Sequence, residues 1–348
     1  LSLSLSLSLS LSLSLSFSDT HTHTQTDTHT HTHTHTLSLA SVKKTHRCYF
    51  FLSFHTKILP SSLSPTDAAN IALWMGNERT AFFAKVNNGW LVNGETAAEL
   101  TMVAGEWYRV RLALSDPGGK GLTLTLPSAC EGAVHAYDGI PRSLTPGEPS
   151  KTIQLITGAS RADYAIRCSE VGVWKCSGSN AVLAFAVHDG ETSAATPYTS
   201  SGDSWAPQYP CYLSGCDGDS VRSSDLRPIR MGAASIDGQS WDPEKPLLHQ
   251  AYGSIGEWNV RASGAHPLHL HVYHMLVVRD CGPHENDQYY DTISTFNNNC
   301  VVRFAVEDFG GMVVLHCHVL SHEDNGKRRD CPFGKCCLSY LINSILLF

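Results

Sequence analysis

The sequence predicts an all-β chain of two Greek-key sandwiches behind a low-complexity N-terminus. Three observations predict it. Short apolar stretches rich in Val, Leu, Ile and aromatic residues recur between residues 90 and 318, separated by turns built on Gly, Asp and Asn. Strands that short and that regularly spaced argue for sandwich architecture. Two of the later stretches carry histidines at every second position, the period of an extended strand. Ahead of them, residues 1–36 are a (Leu-Ser)n run followed by a (His-Thr)n run broken at Gln25 and Asp27.

That leading segment reads as translated dinucleotide-repeat DNA, since CTC-TCT encodes Leu-Ser and CAC-ACA encodes His-Thr. A histidine tract that binds metal is the alternative, because alternation on an extended chain lines up the imidazoles. A secretion signal is not the reading, for want of a charged start and a continuous apolar core. Residues 1–65 together are expected to be disordered and outside the native coding sequence. Residues 66–190 form the first globular segment, with strands expected at Trp90–Gly94, Leu100–Val103, Trp107–Leu114, Leu122–Leu126, Ile153–Ile156, Ala162–Cys168 and Ala181–His188. It holds His135 and His188, far apart and with no cysteine motif beside them, so no metal is expected there.

Residues 191–226, rich in Ser, Gly, Asp and Pro, read as a linker. The second sandwich spans 227–326, with strands expected at Met231–Ser235, Gly256–Arg261, Leu268–Val278, Thr292–Phe296, Val301–Val306 and Met312–His318. Residues 327–348 form a tail of different character.

The net charge is −7 with His neutral, and no basic run exceeds Lys43-Lys44 or Lys327-Arg328-Arg329. A nucleic-acid partner is therefore unsupported. No apolar run has the length of a bilayer span. Twelve cysteines exceed the usage of a reduced cytosolic protein. Cys211 with Cys216, Cys168 with Cys176, and Cys281 with Cys300 are candidate disulfides.

The chemistry concentrates in His266-Pro267-Leu268-His269-Leu270-His271 and His316-Cys317-His318-Val319-Leu320-Ser321-His322. On a strand, His316 and His318 face one way and Cys317 the other, so these three cannot share one ion; they suit two sites on opposite sides of one backbone. His269 and His271 share a face, while His266 sits before Pro267 and escapes the alternation. A turn is needed to return His322 to Cys317. Two imidazoles, a thiolate and a weak fourth ligand suit copper in electron transfer. A structural zinc site or a set of hydrogen-bonded histidines is the plainer alternative. A metal-binding barrel with its usual acid after the H-x-H is disfavoured, because Met275 stands four residues after His271.

Together the two motifs resemble the C-terminal copper motifs of multicopper oxidases, the laccase and bilirubin oxidase superfamily, and Glu323-Asp324 resembles its spore-coat laccase branch. The resemblance implies two cupredoxin (plastocyanin-like) sandwiches, and secretion. It is extended by Leu91-Val92-Asn93-Gly94, Tyr108-Arg109-Val110-Arg111-Leu112, Asp138-Gly139 and Arg161-Ala162-Asp163, similar to a copper-free middle domain. Asp291-Thr292 and Asp308-Phe309 also resemble family positions, of hydrogen-bonding and packing type.

Carried over by position, the resemblance assigns His266, Cys317 and His322 to a type 1 copper, His269 to a type 2 copper, and His271, His316 and His318 to type 3 coppers. Glu323 matches an acid that delivers protons. The implied reaction is one-electron oxidation of a small reducing substrate (a phenol-like molecule, a pyrrole or a metal ion) coupled to reduction of dioxygen to water. Two departures bear on it. The family's axial methionine falls at Lys327, a poor neighbour for a cupric ion. The C-terminal motifs also supply only half the imidazoles of the trinuclear cluster, so the chain reads as a fragment inactive alone. The alternatives are a non-catalytic copper-binding or structural cupredoxin module, and an electron carrier using only the type 1 site. The cluster-facing histidines argue against the carrier.

Overall fold

The computed structural model describes residues 63–325 and 342–347, with breaks at 88, 143–148, 179–182, 201–212, 214–225, 233, 243–244, 263, 265, 296–298, 308 and 310. The expectations for residues 1–62, the Cys211–Cys216 pairing and Lys327 lie outside the described residues.

The first element among the described residues is a helix that strand patterning did not predict, Pro65–Gly76. Its sequence carries ordinary start signals: Ser64 caps it by accepting from the Asp67 amide at 3.1 Å, and Pro65 supplies a preset φ in the first turn. Ile71 and Trp74 are fully buried, packed with Trp107 and Ala165.

Among the described residues after it, strands dominate, as expected, with one further short helix at Leu320–Asn325. Residues 78–188 form a six-stranded sheet, a three-stranded sheet and a two-stranded ribbon. In the large sheet Trp107–Ser115 lies between Glu78–Val86 and Arg161–Cys168, with Cys130–Tyr137 beyond. Glu78–Val86 and Cys130–Tyr137 are strands that the sequence reading passed over. Neighbours that are distant in sequence, and the parallel pairing of Glu78–Val86 with Trp107–Ser115, require crossover connections between sheets.

Residues 226–347 form two five-stranded sheets. One orders Leu226–Met231, Ile255–Ala262, Asn299–Ala305, Met275–Arg279 and Tyr289–Tyr290; the other orders Leu248–Gln250, Ile342–Leu347, Gly311–Cys317, Leu268–Leu270 and Thr292–Ile293. Two strand expectations are corrected. The strand placed at Met231–Ser235 runs instead over Leu226–Met231, because Gly232 turns the chain and its amide bonds the Ser235 carbonyl at 2.8 Å. The single strand Leu268–Val278 is two strands in different sheets. Between them Val272 takes φ 60°, a left-handed conformation that a β-branched residue adopts only at a forced break. That break lets the chain leave the histidine-bearing sheet just after His271.

The disulfide pattern is partly as expected. Cys281 pairs with Cys300. Cys168 pairs with Cys130 and not with Cys176, since Cys130 and Cys168 are direct partners across adjacent strands. Cys176 stays a buried thiol, pushed up to about 12 by burial. Among the described residues, no helix is long and apolar enough to cross a membrane.

Candidate metal centre

Two strands create the site. Gly311–Cys317 and Leu268–Leu270 pair antiparallel with Cys317 opposite Leu268 and His316 opposite His269. Strand alternation therefore sends the Cys317 side chain away from His269 and His316, and two separate groups result.

The first group is His266, Cys317 and His322, whose ligand atoms lie within 4.8 Å of one another. Cys317 Sγ is 3.6 Å from His266 Nδ1 and 3.7 Å from His322 Nδ1, and the two imidazoles stack at 4.6 Å. Each residue arrives by a different device. His266 precedes the strand, held where the Thr295 hydroxyl donates to its carbonyl at 2.5 Å and the His318 amide donates to the Pro267 carbonyl at 2.8 Å. Cys317 ends its strand. His322 returns because Leu320–Asn325 is helical, with the His322 and Glu323 amides both bonding the Val319 carbonyl at 3.0 Å. Cys317 and His266 are buried, and burial raises the Cys317 thiol to about 11 and lowers His322 below the usual imidazole value. A metal entering here must displace the thiol proton.

The second group is His269, His271 and His316, again with ligand atoms within 4.8 Å; His271 Nε2 and His316 Nε2 are 3.3 Å apart. His318 stands at its edge, its ring 5.3 Å from that of His316 and 5.6 Å from that of His269. Burial lowers His269 to about 4 and His316 to about 3, so both are neutral and able to ligate at pH 7. His271 is exposed and lowered by burial to a lesser degree. Glu323 is buried, with Oε1 3.7 Å from His316 Nδ1, and burial followed by the charge of Asp324 raises its carboxyl.

All eight residues singled out from sequence therefore lie in or beside these two groups. The supporting groups beyond Asp291-Thr292 were not found by sequence reading. His269 Nδ1 donates to the Asp291 carbonyl at 2.8 Å. Arg161 Nη1, from the other sandwich, donates to Asp291 Oδ1 at 2.9 Å, and Asp138 Oδ2 accepts from the Asp291 amide at 3.2 Å. Burial alone would raise the Asp291 carboxyl, but the Arg161 hydrogen bond and charge outweigh it and hold the group low. Asp138 is pushed up by burial and by the Asp291 charge. His135 and His188, expected to hold no metal, belong to neither group: His135 is buried edge-on against Trp74, and His188 is exposed.

The donor sets discriminate among metals. One soft thiolate with two imidazoles in a buried pocket suits copper, and three imidazoles with an open side suit copper or zinc.

Comparison with known proteins agrees with this chemistry. Residues 219–329 match the family model described as multicopper oxidase. A laccase of Bacillus stratosphericus is 30% identical over 127 residues, covering 28% of this chain and 23% of the laccase. Among solved structures, the 2F4 variant of the McoA multicopper oxidase from Aquifex aeolicus aligns with TM-score 0.59 at 17% identity, over 81% of this chain and 69% of that one. A laccase from Pediococcus acidilactici aligns with TM-score 0.56 at 16% identity, over 78% and 60%. A multicopper oxidase from Campylobacter jejuni, titled a metallo-oxidase, aligns with TM-score 0.54 at 14% identity, over 78% and 64%. The structural likenesses show a shared cupredoxin-type fold. The chain spans less than a quarter of the curated laccase and 60% and 64% of the Pediococcus acidilactici and Campylobacter jejuni structures.

Proposed function

Since the chain belongs to the multicopper oxidase superfamily, we propose that it is the copper-bearing C-terminal part of a laccase-like oxidase acting on a small reducing substrate. His266, Cys317 and His322 would hold the type 1 copper, His269 the type 2 copper, and His271, His316 and His318 the type 3 coppers. Copper held by these residues would supply one-electron redox chemistry between a reducing substrate and dioxygen.

The chain's own residues prepare that chemistry in three ways. Cys317 is joined by single peptide links to His316 and His318, so the two groups communicate through covalent bonds. Burial strips water from Cys317 and His266, which shields the sulfur from solvent and oxidation. Burial raises the Glu323 carboxyl, whose Oε1 lies 3.7 Å from His316 Nδ1, which suits a proton donor beside the imidazole group.

The observation that carries the reading is the approach of Cys317 Sγ to His266 and His322 with His316 turned to the opposite group. Turnover is proposed to require further imidazoles from H-x-H motifs of another cupredoxin domain, opposite the exposed His271. That exposure also favours a second reading, a copper-binding module without turnover. Oxygen uptake with a phenolic substrate separates them. The copper-loaded chain alone is expected to give none, and addition of such a domain is expected to restore it. Glu323→Gln in the active assembly should slow oxygen uptake with copper content unchanged. A copper-loaded chain with no intense thiolate-to-copper absorption would overturn the proposal.

A further inference from the structure

His269 is supported by residues that contribute no ligand. Its Nδ1 lies 2.8 Å from the Asp291 carbonyl and 3.0 Å from Thr292 Oγ1. A carbonyl only accepts, so Nδ1 carries the ring hydrogen. The Thr292 hydroxyl hydrogen is already directed to Asp291 Oδ1 at 2.9 Å, so its oxygen also faces His269 as an acceptor. The tautomer is fixed, and Nε2 keeps its lone pair for a metal.

The two accepting residues are themselves gripped from the 78–188 sandwich. Arg161 forks onto the Asp291 carboxylate through Nη1 and Nη2. Asp138 Oδ2 accepts from the Asp291 amide at 3.2 Å and the Thr292 amide at 3.4 Å, while its Oδ1 accepts from the Arg161 amide at 3.0 Å. Asp138 sits in a turn at φ 48°, followed by Gly139 at φ 84°, and that turn delivers a carboxylate only 3% exposed to the end of the neighbouring strand. Main chain and side chain of Asp291 are thus both held, by residues 130 and 153 positions away.

We propose that Arg161 and Asp138 are positioning residues for a metal ligand of the other sandwich. Acting through Asp291 and Thr292, they lock His269 in the tautomer that leaves Nε2 free to bind. The proposal rests on the reading of His269 as a ligand. It goes beyond that reading by making metal affinity at the imidazole group depend on the packing of one sandwich against the other. A simple interdomain ion pair would stabilise the fold without touching the tautomer, and this separates the two accounts.

The test uses the full chain, labelled with 15N-histidine and free of metal. In the wild type, His269 is expected as a single Nδ1–H tautomer whose hydrogen exchanges slowly. Arg161→Ala and Asp291→Asn should mix the tautomers and speed that exchange, and Arg161→Lys should fall between. Copper(II) titration in a Cys317→Ser background, where the sulfur site is silent, should then show affinity at the imidazoles about 10–100-fold weaker for Arg161→Ala, with partial rescue by lysine. If Arg161→Ala fails to fold, Arg161→Lys and Asp291→Asn carry the same comparison. Folded variants that keep one tautomer and wild-type copper affinity overturn the proposal. Failure of the wild type to take copper at these imidazoles sinks the functional reading instead, and the tautomer measurement still decides the clamp.

Discussion

The sulfur site and the three-imidazole group are built on the same short strand and differ in how much of each is closed. His266 and Cys317 are buried, and the return of His322 by one helical turn gathers these three donors within a single sandwich. The imidazole group is half open: His316 is buried, His269 is partly covered, and His271 is exposed. Burial grades the imidazole group internally as well, holding His316 down at about 3 and His269 at about 4, while it also lowers the exposed His271. One backbone can therefore carry a site whose three described donors are mostly buried beside a site that leaves a side free for further ligands.

The largest break in this comparison comes from Cys317→Ser. A hydroxyl is a far poorer ligand than a thiolate, and it takes the soft donor from the site. Copper affinity there should fall by more than about 100-fold, beyond what the loss of an outer-shell partner causes. The thiolate absorption should vanish while the imidazole group still titrates with copper. Loss of both sites together would mean that the two are not independent. Absorption titration with EPR on the full chain reads both.

Acid should act next most strongly, and on the fold. His135 and His284 are buried and held near about 3 by burial. His284 Nε2 accepts from the Ser294 amide at 2.8 Å, so its buried Nδ1 carries the hydrogen. For a histidine depressed in the folded state, the unfolded chain binds more protons between about pH 6.5 and about 3. Its contribution is thus fully present above about pH 6.5 and is lost as pH falls through that window. Each such group steepens the loss by about 1.4 kcal/mol per pH unit. Denaturant titrations at pH 7.5, 5.5 and 4.5 should show this slope, and His284→Gln, whose amide oxygen can accept from Ser294, should flatten it by about one proton. An unchanged slope in that variant would show that His284 is already charged in the fold.

The sulfur site was legible because it depends on local rules. Alternation on the strand separates Cys317 from His316, Pro267 frees His266 from the period, and only a short turn is needed to recover His322. The break at Val272 was not legible: the stretch from Leu268 to Val278 is continuously strand-like, and only the sheet switch forces the left-handed residue. The Pro65–Gly76 helix was missed although Ser64, Pro65 and Asp67 announce it, since the strand pattern that follows dominated the reading. Cys130 could not be matched to Cys168 without the register of two strands, one of which went unrecognised. Asp291-Thr292 stood out as a hydrogen-bonding pair, but nothing in sequence brings Arg161 or Asp138 to it across 130 and 153 positions.

His271→Ala gives the smallest effect on the fold and the sharpest reading of the open site. The side chain is exposed and leaves no cavity when removed, so stability should change by less than about 0.5 kcal/mol. Copper affinity at the imidazoles should nevertheless fall, because His271 Nε2 lies 3.3 Å from His316 Nε2 and supplies one of the three close donors there among the described residues. His316→Ala removes a ligand from the same group but empties a buried position beside Glu323, so it should weaken binding and destabilise the sandwich together. Thermal melts and copper titrations on the two variants separate ligand loss from packing loss. Equal destabilisation by both would mean that the open side is covered in solution, and the contrast between a closed and an open site would then fall.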